Sequence, residues 1–205
     1  MIVIIDYGMG NLRSVYKAFK RLNIEATVSS ATNDIKNAQK LILPGVGHFK
    51  NGMENLNKLG LIELLHTKVI EEKTPILGIC LGMQLFTNHS QEGDVRGLGW
   101  INAETIKFNF NDLNNKLKIP HMGWNSINIQ KESRIMSGLN NSSSFYFVHS
   151  YYVNCNDKND ILCKTNYGIE YTSAVEKNNI TGMQFHPEKS HDEGLQIINN
   201  FAKDF

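Results

Sequence analysis

The sequence has little of several features that mark whole classes of proteins. Its 205 residues include 21 basic and 20 acidic side chains, a formal net charge of +1, so no strong overall field favours nucleic acid or an anionic membrane. The longest run of lysine and arginine is Lys20–Arg21, and no stretch approaches the ~20 apolar residues of a membrane span. This balance favours small-molecule chemistry or protein partners over nucleic-acid binding.

Cysteine is scarce as well. Cys80, Cys155 and Cys163 are an odd number without CxxC spacing, which argues against a disulfide scaffold or a zinc site and predicts a cytoplasmic location. The four apolar residues after Met1 are too few for a signal peptide and predict a buried first strand.

Motifs for metals and nucleotides are missing too. The histidines show no HxxxH or HExxH spacing, and no GxxxxGK[ST] occurs. Gly8 and Gly10 could open a dinucleotide-binding turn, but Arg13 stands where the third glycine is needed for close packing. We therefore expect no cofactor and no metal.

The first half of the chain alternates between two hydrophobic periods. Apolar runs predict strands at 2–5, 25–29, 40–44 and 75–79. Helical spacing predicts helices at 12–22 and 53–72, the second with a break near Gly60, and an amphipathic stretch follows at 81–90. Such alternation implies parallel strands with right-handed crossovers.

The second half has a different pattern. From Trp100 to Met183, short β-rich runs are separated by Asn, Asp, Gly and Ser, the polar run at 109–115 predicts an exposed loop, and residues 192–205 predict a closing helix. No linker divides the halves. We predict one α/β domain over residues 1–205, with a mostly parallel open sheet flanked by helices and extended by antiparallel strands.

The segment Gly78-Ile79-Cys80-Leu81-Gly82 has the form of a nucleophile elbow, in which a strained residue stands between a strand and a helix. Side chains at the two glycines would collide as the helix turns back over the strand. The start of a helix also favours a thiolate over a thiol. The alternative interpretation is a buried cysteine between packing glycines.

His186-Pro187-Glu188 supplies what a cysteine nucleophile needs. Pro187 favours an extended backbone at His186, so Glu188 lies on the same side and can fix the tautomer of the ring. One imidazole nitrogen is then left to face a thiol, which is the logic of a catalytic triad. Alone, this tripeptide favours a surface turn; together with the elbow it favours nucleophilic catalysis.

A glycine-rich loop, Pro44-Gly45-Val46-Gly47, follows the third predicted strand. Acyl transfer needs two donors where negative charge develops on the carbonyl oxygen. The amide of Leu81, the residue after the nucleophile, is one candidate donor. An amide of this loop is the other, and that of Val46 is the preferred one. The alternative interpretation is an ordinary loop at a strand end.

These motifs resemble those of the class I, triad-type glutamine amidotransferases, whose fold is flavodoxin-like. Their residues are "PILGICLGMQ", "PGVGHF" and "FHPEKS". Three more, "DYGMGNL", "IPHMGWN" and "YFVHSYY", narrow the resemblance to the glutaminase subunits of imidazole glycerol phosphate synthases, which supply ammonia for histidine biosynthesis.

The resemblance implies a role for each matching position. Cys80 would be the nucleophile, His186 the base and then the acid, and Glu188 its orienting partner. The other implied positions are oxyanion donors at Val46, Gly47 and Leu81, substrate contacts at Gly45, Gln84, Glu92, Ser150 and Tyr151, and partner contacts at Asn11, Pro120, His121, Met122, Gly123, Trp124, Asn125 and Lys189.

A partner is also expected from the chemistry. Ammonia released into water is protonated and lost, and this chain has no motif for a second substrate. We therefore predict a second protein that docks over the elbow and receives the ammonia directly. The resemblance implies that this partner is a cyclase subunit that forms a heterodimer with the chain and makes imidazole glycerol phosphate and AICAR. Three alternatives stay open: a paralogue that feeds another acceptor, for instance in sugar amidination, a cysteine amidohydrolase or peptidase, and a non-catalytic binding subunit.

Overall fold

The computed structural model describes residues 1–110 and 117–204. Its strands and helices follow the predicted alternation in the first half of the chain. The elements are β1 (Ile2–Ile5), α1 (Leu12–Arg21), β2 (Ala26–Ser29), α2 (Thr32–Lys36), β3 (Lys40–Gly45), α3 (Phe49–Lys58), α4 (Leu61–His66), a π-helical turn (Thr67–Glu71), β4 (Ile76–Cys80), α5 (Leu81–Gln84), β5 (His89–Ser90), β6 (Val95–Arg96), β7 (Ala103–Lys107), β8 (His121–Ser126), β9 (Asn128–Ile129), β10 (Ser144–His149), β11 (Tyr151–Cys155), β12 (Ile161–Tyr167), β13 (Ile169–Lys177), β14 (Ile180–Met183) and α6 (His191–Asp204), with 3-10 turns at Arg134–Met136, Lys158–Asp160 and Pro187–Lys189.

The main sheet has a parallel half and an antiparallel extension, as predicted. Within the described residues its path runs β2-β1-β3-β4-β14-β13-β11-β7-β5-β6, with β12 paired to β13 and β9 to β12. The first five strands of this path are parallel. The pairs β14–β13, β13–β11 and β11–β7 are antiparallel, and β5 is parallel to β7. The register places Gly45 at the end of β3 beside Cys80 at the end of β4.

Helices cover both faces of the parallel half. In β1, Ile2 and Ile4 pack into the cluster that holds residues of α1 and α6, whereas Val3 and Ile5 pack into the cluster with α2, α3 and α4. A continuous apolar run is what a strand buried on both faces requires. Each fully buried side chain of this size contributes roughly 1.5–3 kcal/mol.

Two helix boundaries have local causes. The predicted break falls at Gly60, whose φ of 64° separates α3 from α4. The amphipathic stretch 81–90 is helical only over Leu81–Gln84. There the side chain of Thr87 donates to the carbonyl of Gln84 at 2.8 Å, and the chain turns toward β5. A side-chain hydroxyl thus takes the acceptor that a longer helix would use.

The β-rich run 144–155 divides between two sheets. β10 pairs with β8 in a separate two-stranded sheet, whereas β11 joins the main sheet beside β7 and β13. Ser150 lies at the point where the chain changes sheets. Residues 111–115 of the predicted loop at 109–115 lie outside the described residues. Across residues 1–110 and 117–204, the structure contains no helix that is both long and apolar enough to cross a membrane.

Candidate active site

Cys80 stands where β4 ends and α5 begins. Its backbone has φ 54° and ψ −109°, a region that residues other than glycine rarely adopt. Strain of this kind costs about 1–3 kcal/mol and persists where the surrounding structure imposes it. The conformation is the one that a nucleophile elbow requires.

The glycines around Cys80 are required by close packing. A Cβ at Gly82 would overlap the carbonyl oxygen of Leu43, and one at Gly78 would lie 2.6 Å from the ring of Phe86. The steric reason given for the two glycines of the elbow is therefore confirmed. Gly45 is under the same constraint, because its Cβ would lie 2.7 Å from Cβ of Leu81.

His186 and Glu188 form a buried pair. Nδ1 of His186 lies 2.8 Å from Oε1 of Glu188, and the two side chains are 1% and 2% exposed. A carboxylate can only accept, so Nδ1 carries the hydrogen. The predicted contact is present, although Pro187–Lys189 reaches it through a 3-10 turn and not through a fully extended chain.

The other ring nitrogen of His186 faces Cys80. Nε2 is buried and has no hydrogen-bond partner of ordinary geometry among the described residues. Burial by itself lowers the pKa of His186, but the charge of Cys80 and hydrogen bonds to Cys80 and Glu188 outweigh it and raise the pKa. The fold thus brings Cys80, His186 and Glu188 together, in an arrangement suited to a thiolate–imidazolium pair.

Gln184 contacts the sulfur, and the sequence interpretation missed it. Its Nε2 donates to Sγ of Cys80 at 3.7 Å, and the residue is fully buried. On the other side, Sγ lies 4.0 Å from the carbonyl oxygen of Val148. The available signal was position, since Gln184 precedes His186 by two residues and an extended chain turns both side chains to one side.

A second missed residue, Ser190, holds His186 in place. Its hydroxyl donates to the carbonyl of His186 at 2.6 Å and accepts from the amide of Tyr146 at 3.0 Å. The amide of His186 also donates to the carbonyl of Tyr146 at 2.9 Å. His186 is therefore attached to β10 directly through its amide and, through the hydroxyl of Ser190, by its carbonyl.

A cavity of about 370 Å³ opens beside the cysteine. This is within the usual range for small-ligand sites. It is lined by Val46, Gly47, Cys80, Leu81, Gln84, Glu92, Pro120, Val148, His149, Ser150 and Tyr151. Of the residues predicted as oxyanion donors or substrate contacts, only Gly45 does not line it. A larger open cavity of about 950 Å³, beside α6, contains none of the predicted site residues.

Two side chains predicted to contact the substrate already form hydrogen bonds within the protein. Nε2 of Gln84 donates to the carbonyl of Tyr151 and to Oε1 of Gln184, both at 3.0 Å, which uses both of its hydrogens. One carboxylate oxygen of Glu92 accepts from the amide of Phe49 at 2.8 Å. A ligand would meet the oxygen of Gln84 and the second oxygen of Glu92.

The predicted partner segment alternates between two faces. On β8, Met122 and Trp124 are 62% and 48% exposed, whereas His121 is 3% exposed and points inward. The side-chain amide of Asn125 donates to the backbone carbonyl of Asn166 at 2.9 Å. A partner that covers β8 would therefore touch Met122 and Trp124 directly, and His121 only through its neighbours.

The remaining predicted partner contacts lie around this strand and the loop beside the cysteine. Gly123 has φ 134°, and Pro120 follows a cis peptide bond. Asn11 is exposed and caps α1 by accepting from the amide of Ser14 at 3.2 Å. Lys189 is exposed, with its ammonium 5.8 Å from the ring centroid of Tyr146.

An elbow cysteine, a histidine held by a buried glutamate and a glycine loop at the same sheet edge define a class: enzymes that cleave amides or esters through a cysteine nucleophile. Comparison with known proteins narrows this class to one family. The profile described as Glutamine amidotransferase class-I matches residues 3–205. The chain belongs to this family.

Curated relatives match over nearly the whole chain. It is 54% identical to "Imidazole glycerol phosphate synthase subunit HisH 2" of Methanococcus maripaludis over 99% of both chains. It is 48% identical to the protein of that name in Pseudomonas aeruginosa, over 99% of both, and 50% identical to "subunit HisH 1" of Campylobacter jejuni, over 99% of this chain and 100% of that one.

Solved structures share the fold at low identity. A crystal structure described as a glutamine amidotransferase aligns with TM-score 0.74 at 19% identity, over 98% of this chain and 99% of that chain. PurLQS from Thermotoga maritima aligns with TM-score 0.72 at 14% identity, over 98% and 96%. These likenesses concern the fold alone.

Proposed function

We propose that the chain is the glutaminase subunit of an imidazole glycerol phosphate synthase. It hydrolyses glutamine to glutamate and ammonia and passes the ammonia to a cyclase subunit, which makes imidazole glycerol phosphate and AICAR in histidine biosynthesis. The names of relatives that match over 99% of this chain support the pathway. The observation that carries the chemistry is the convergence of Cys80, His186 and Glu188.

The first half of the reaction forms a thioester. His186 takes the thiol proton at Nε2, and Sγ of Cys80 attacks the side-chain amide carbon of glutamine. The amides of Leu81 and of Val46 or Gly47 stabilise the resulting oxyanion, where loss of one donor costs roughly 2.7–4 kcal/mol. The C–N bond then breaks, and ammonia leaves with the proton that His186 returns.

The second half hydrolyses the thioester. Water gives a proton to Nε2 of His186 as its oxygen attacks the acyl carbon. The C–S bond breaks, the sulfur takes the proton back, and glutamate leaves. Glu188 stays ionised throughout and stabilises the imidazolium that forms in each half.

Substrate binding uses the cavity beside Cys80. The oxygen of Gln84 and the second oxygen of Glu92 are acceptors suited to the α-ammonium group of glutamine, and Ser150 and Tyr151 also line the cavity. Gly45 does not line the cavity and acts on it indirectly. Because Gly45 has no side chain, the end of β3 can lie close to Leu81, which does line the cavity.

A partner subunit would cover this end of the molecule. Val46 lines the cavity and is 40% exposed, Ile119 is 39% exposed beside Pro120, and Met122 and Trp124 project from β8. Exposed aromatic side chains and methionines are enriched in interfaces. Asn11 and Lys189 extend the proposed contact surface, and a heterodimer is the assembly that delivers ammonia without loss. The three unpaired cysteines suit a reducing cytoplasm.

A second candidate keeps the glutaminase and changes the acceptor. The names of three relatives end in the numerals 2, 2 and 1, as names of duplicated subunits do. A paralogue of this kind would have the same site and would supply ammonia to another synthase, for instance in amidination of a sugar.

The test is co-purification with the cyclase subunit and assay of synthesis with glutamine or with ammonium salt. Cys80→Ala should abolish the glutamine-dependent reaction and leave the ammonia-dependent one, while Cys155→Ala leaves both. Glutamine turnover should rise when the cyclase and its nucleotide substrate are added. Glutamine-dependent synthesis by Cys80→Ala would overturn the mechanism, and an active glutaminase that no cyclase stimulates would favour the second candidate.

A further inference from the structure

Buried hydrogen bonds connect β8 to the carbonyl of Tyr151, and their directions follow from donor and acceptor chemistry. Nδ1 of His149 lies 2.7 Å from that carbonyl oxygen, which can only accept, so Nδ1 carries the hydrogen and Nε2 is an acceptor. The hydroxyl of Tyr171, 3.1 Å from Nε2, must donate to it. Its oxygen then accepts from Nδ1 of His121 at 3.0 Å.

We call this chain of hydrogen bonds, from the carbonyl of Tyr151 through His149 and Tyr171 to His121, the first arm. Both of its histidines are neutral. The amide of Asn125, 3.4 Å from Nε2 of His121, completes the arm on β8. Burial lowers the pKa of His149 to about 3 and that of His121 to about 4, so neither ring gains a proton near pH 7. The directions deduced from geometry therefore hold at working pH.

A second arm leads from the same carbonyl to the nucleophile. The atom of Gln84 that contacts the carbonyl of Tyr151 must be its amide nitrogen, since the carbonyl only accepts. The same nitrogen contacts Gln184, so the atom of Gln184 there must be its oxygen. Nε2 of Gln184 is thereby turned toward Sγ of Cys80, 3.7 Å away.

We propose that Gln184 and Tyr171 are positioning residues for the glutaminase reaction. Gln184 donates to the sulfur of Cys80 and favours its thiolate form. Tyr171 orients His149 and so holds the carbonyl of Tyr151, on which the arm to the sulfur is anchored. The inference rests on the proposed role of Cys80 as nucleophile.

The environment of the sulfur makes a neutral donor effective. Three titratable groups of the described residues interact electrostatically with Cys80: His186 from the turn after β14, Tyr7 from the segment after β1 and Tyr171 from β13. Tyr7 and Tyr171 are buried and neutral, so His186 is the cation among these three, and Gln184 adds a donor that does not titrate. A hydrogen bond to a charged form favours that form.

Alkylation of Cys80 by iodoacetamide, followed by peptide mass across a pH series, tests Gln184. Gln184→Met keeps the length of the side chain and loses the donor, so the midpoint of the pH profile of alkylation should rise by about one pH unit, and alkylation at pH values below the midpoint should slow about tenfold. Gln184→Glu keeps an acceptor for Gln84 and adds negative charge, so its midpoint should rise further. Cys155 in the same digest is the internal reference. An unchanged profile in Gln184→Met would overturn the role of Gln184.

Glutamine kinetics of the complex test Tyr171. Tyr171→Phe loses only the hydroxyl and should raise KM for glutamine about fivefold or more, since one hydrogen bond to the wall of the cavity is lost. Tyr152→Phe is the matched control, because its ring lies 5.5 Å from that of Tyr171 and its hydroxyl is outside the two arms. Equal kinetics of the two variants would overturn the role of Tyr171. Glutaminase activity in Cys80→Ala would instead overturn the proposed function.

Discussion

Replacement of Glu188 by glutamine is the sharpest perturbation of the triad. Glu188 accepts from Nδ1 of His186 at 2.8 Å, and both side chains are almost fully buried. Its second oxygen, Oε2, is buried without a hydrogen-bond partner among the described residues. Glutamine keeps the shape and removes the charge. If its oxygen faces Nδ1, its NH₂ group occupies the buried site of Oε2.

The magnitude follows from the lost charge. A neutral hydrogen bond in place of a charge-assisted one costs about 1–2 kcal/mol. Set against the imidazolium state, this cost lowers kcat about 5- to 30-fold. If NH₂ faces His186 instead, the ring takes the wrong tautomer, and the loss approaches about 10⁴-fold.

The assay is glutamate release by the complex across a pH series. KM should change little, because Glu188 does not line the cavity. The charge of Glu188 helps to raise the pKa of His186, so without it the high-pH limb of kcat should move to lower pH. Glu132→Gln, at an exposed position, should behave as wild type. A kcat for Glu188→Gln within about threefold of wild type would refute the triad reasoning, since such a ratio is under 1 kcal/mol.

Three further outcomes are expected. Gly82→Ala should lower the free energy of unfolding by about 3 kcal/mol or more in urea, because its Cβ would overlap the carbonyl of Leu43, and an unchanged midpoint would contradict this. His149 has a pKa of about 3 in the folded protein, below the 6.5 of the unfolded chain. Its contribution to the free energy of unfolding is therefore complete above about pH 6.5 and is lost as the pH falls toward 3. His149→Gln should remove about 2 kcal/mol of the difference in unfolding free energy between pH 7 and pH 5, measured by urea unfolding at the two pH values. Trp124→Ala should weaken association with the cyclase by about 2 kcal/mol, about 30-fold in Kd by calorimetry, and an unchanged Kd would remove this residue from the proposed interface.

Features with local causes were predictable from the sequence. The apolar run 2–5 is buried on both faces, and the helix over 53–72 breaks at Gly60, where a positive φ suits glycine. Gly78 and Gly82 leave no room for a side chain, as the elbow pattern predicts. The contact between His186 and Glu188 spans only two residues, so a short segment was sufficient to predict it.

Contacts between distant segments depended on tertiary structure. Gln184 reaches Cys80 because β14 lies parallel to β4 with Met183 beside Ile79, and nothing in either segment specifies that neighbour. The chain also changes sheets at Ser150, in a run that reads as continuous β structure.

Sequence alone determined the elbow, the glycine loop and the histidine–glutamate pair, because backbone sterics and two-residue spacing act locally. Tertiary structure decided which side chains hold the sulfur and which way the partner segment faces, since His121 is buried where Trp124 is exposed. Those outcomes depend on the pairing of strands far apart in the chain, and sequence patterning constrains such pairing only weakly.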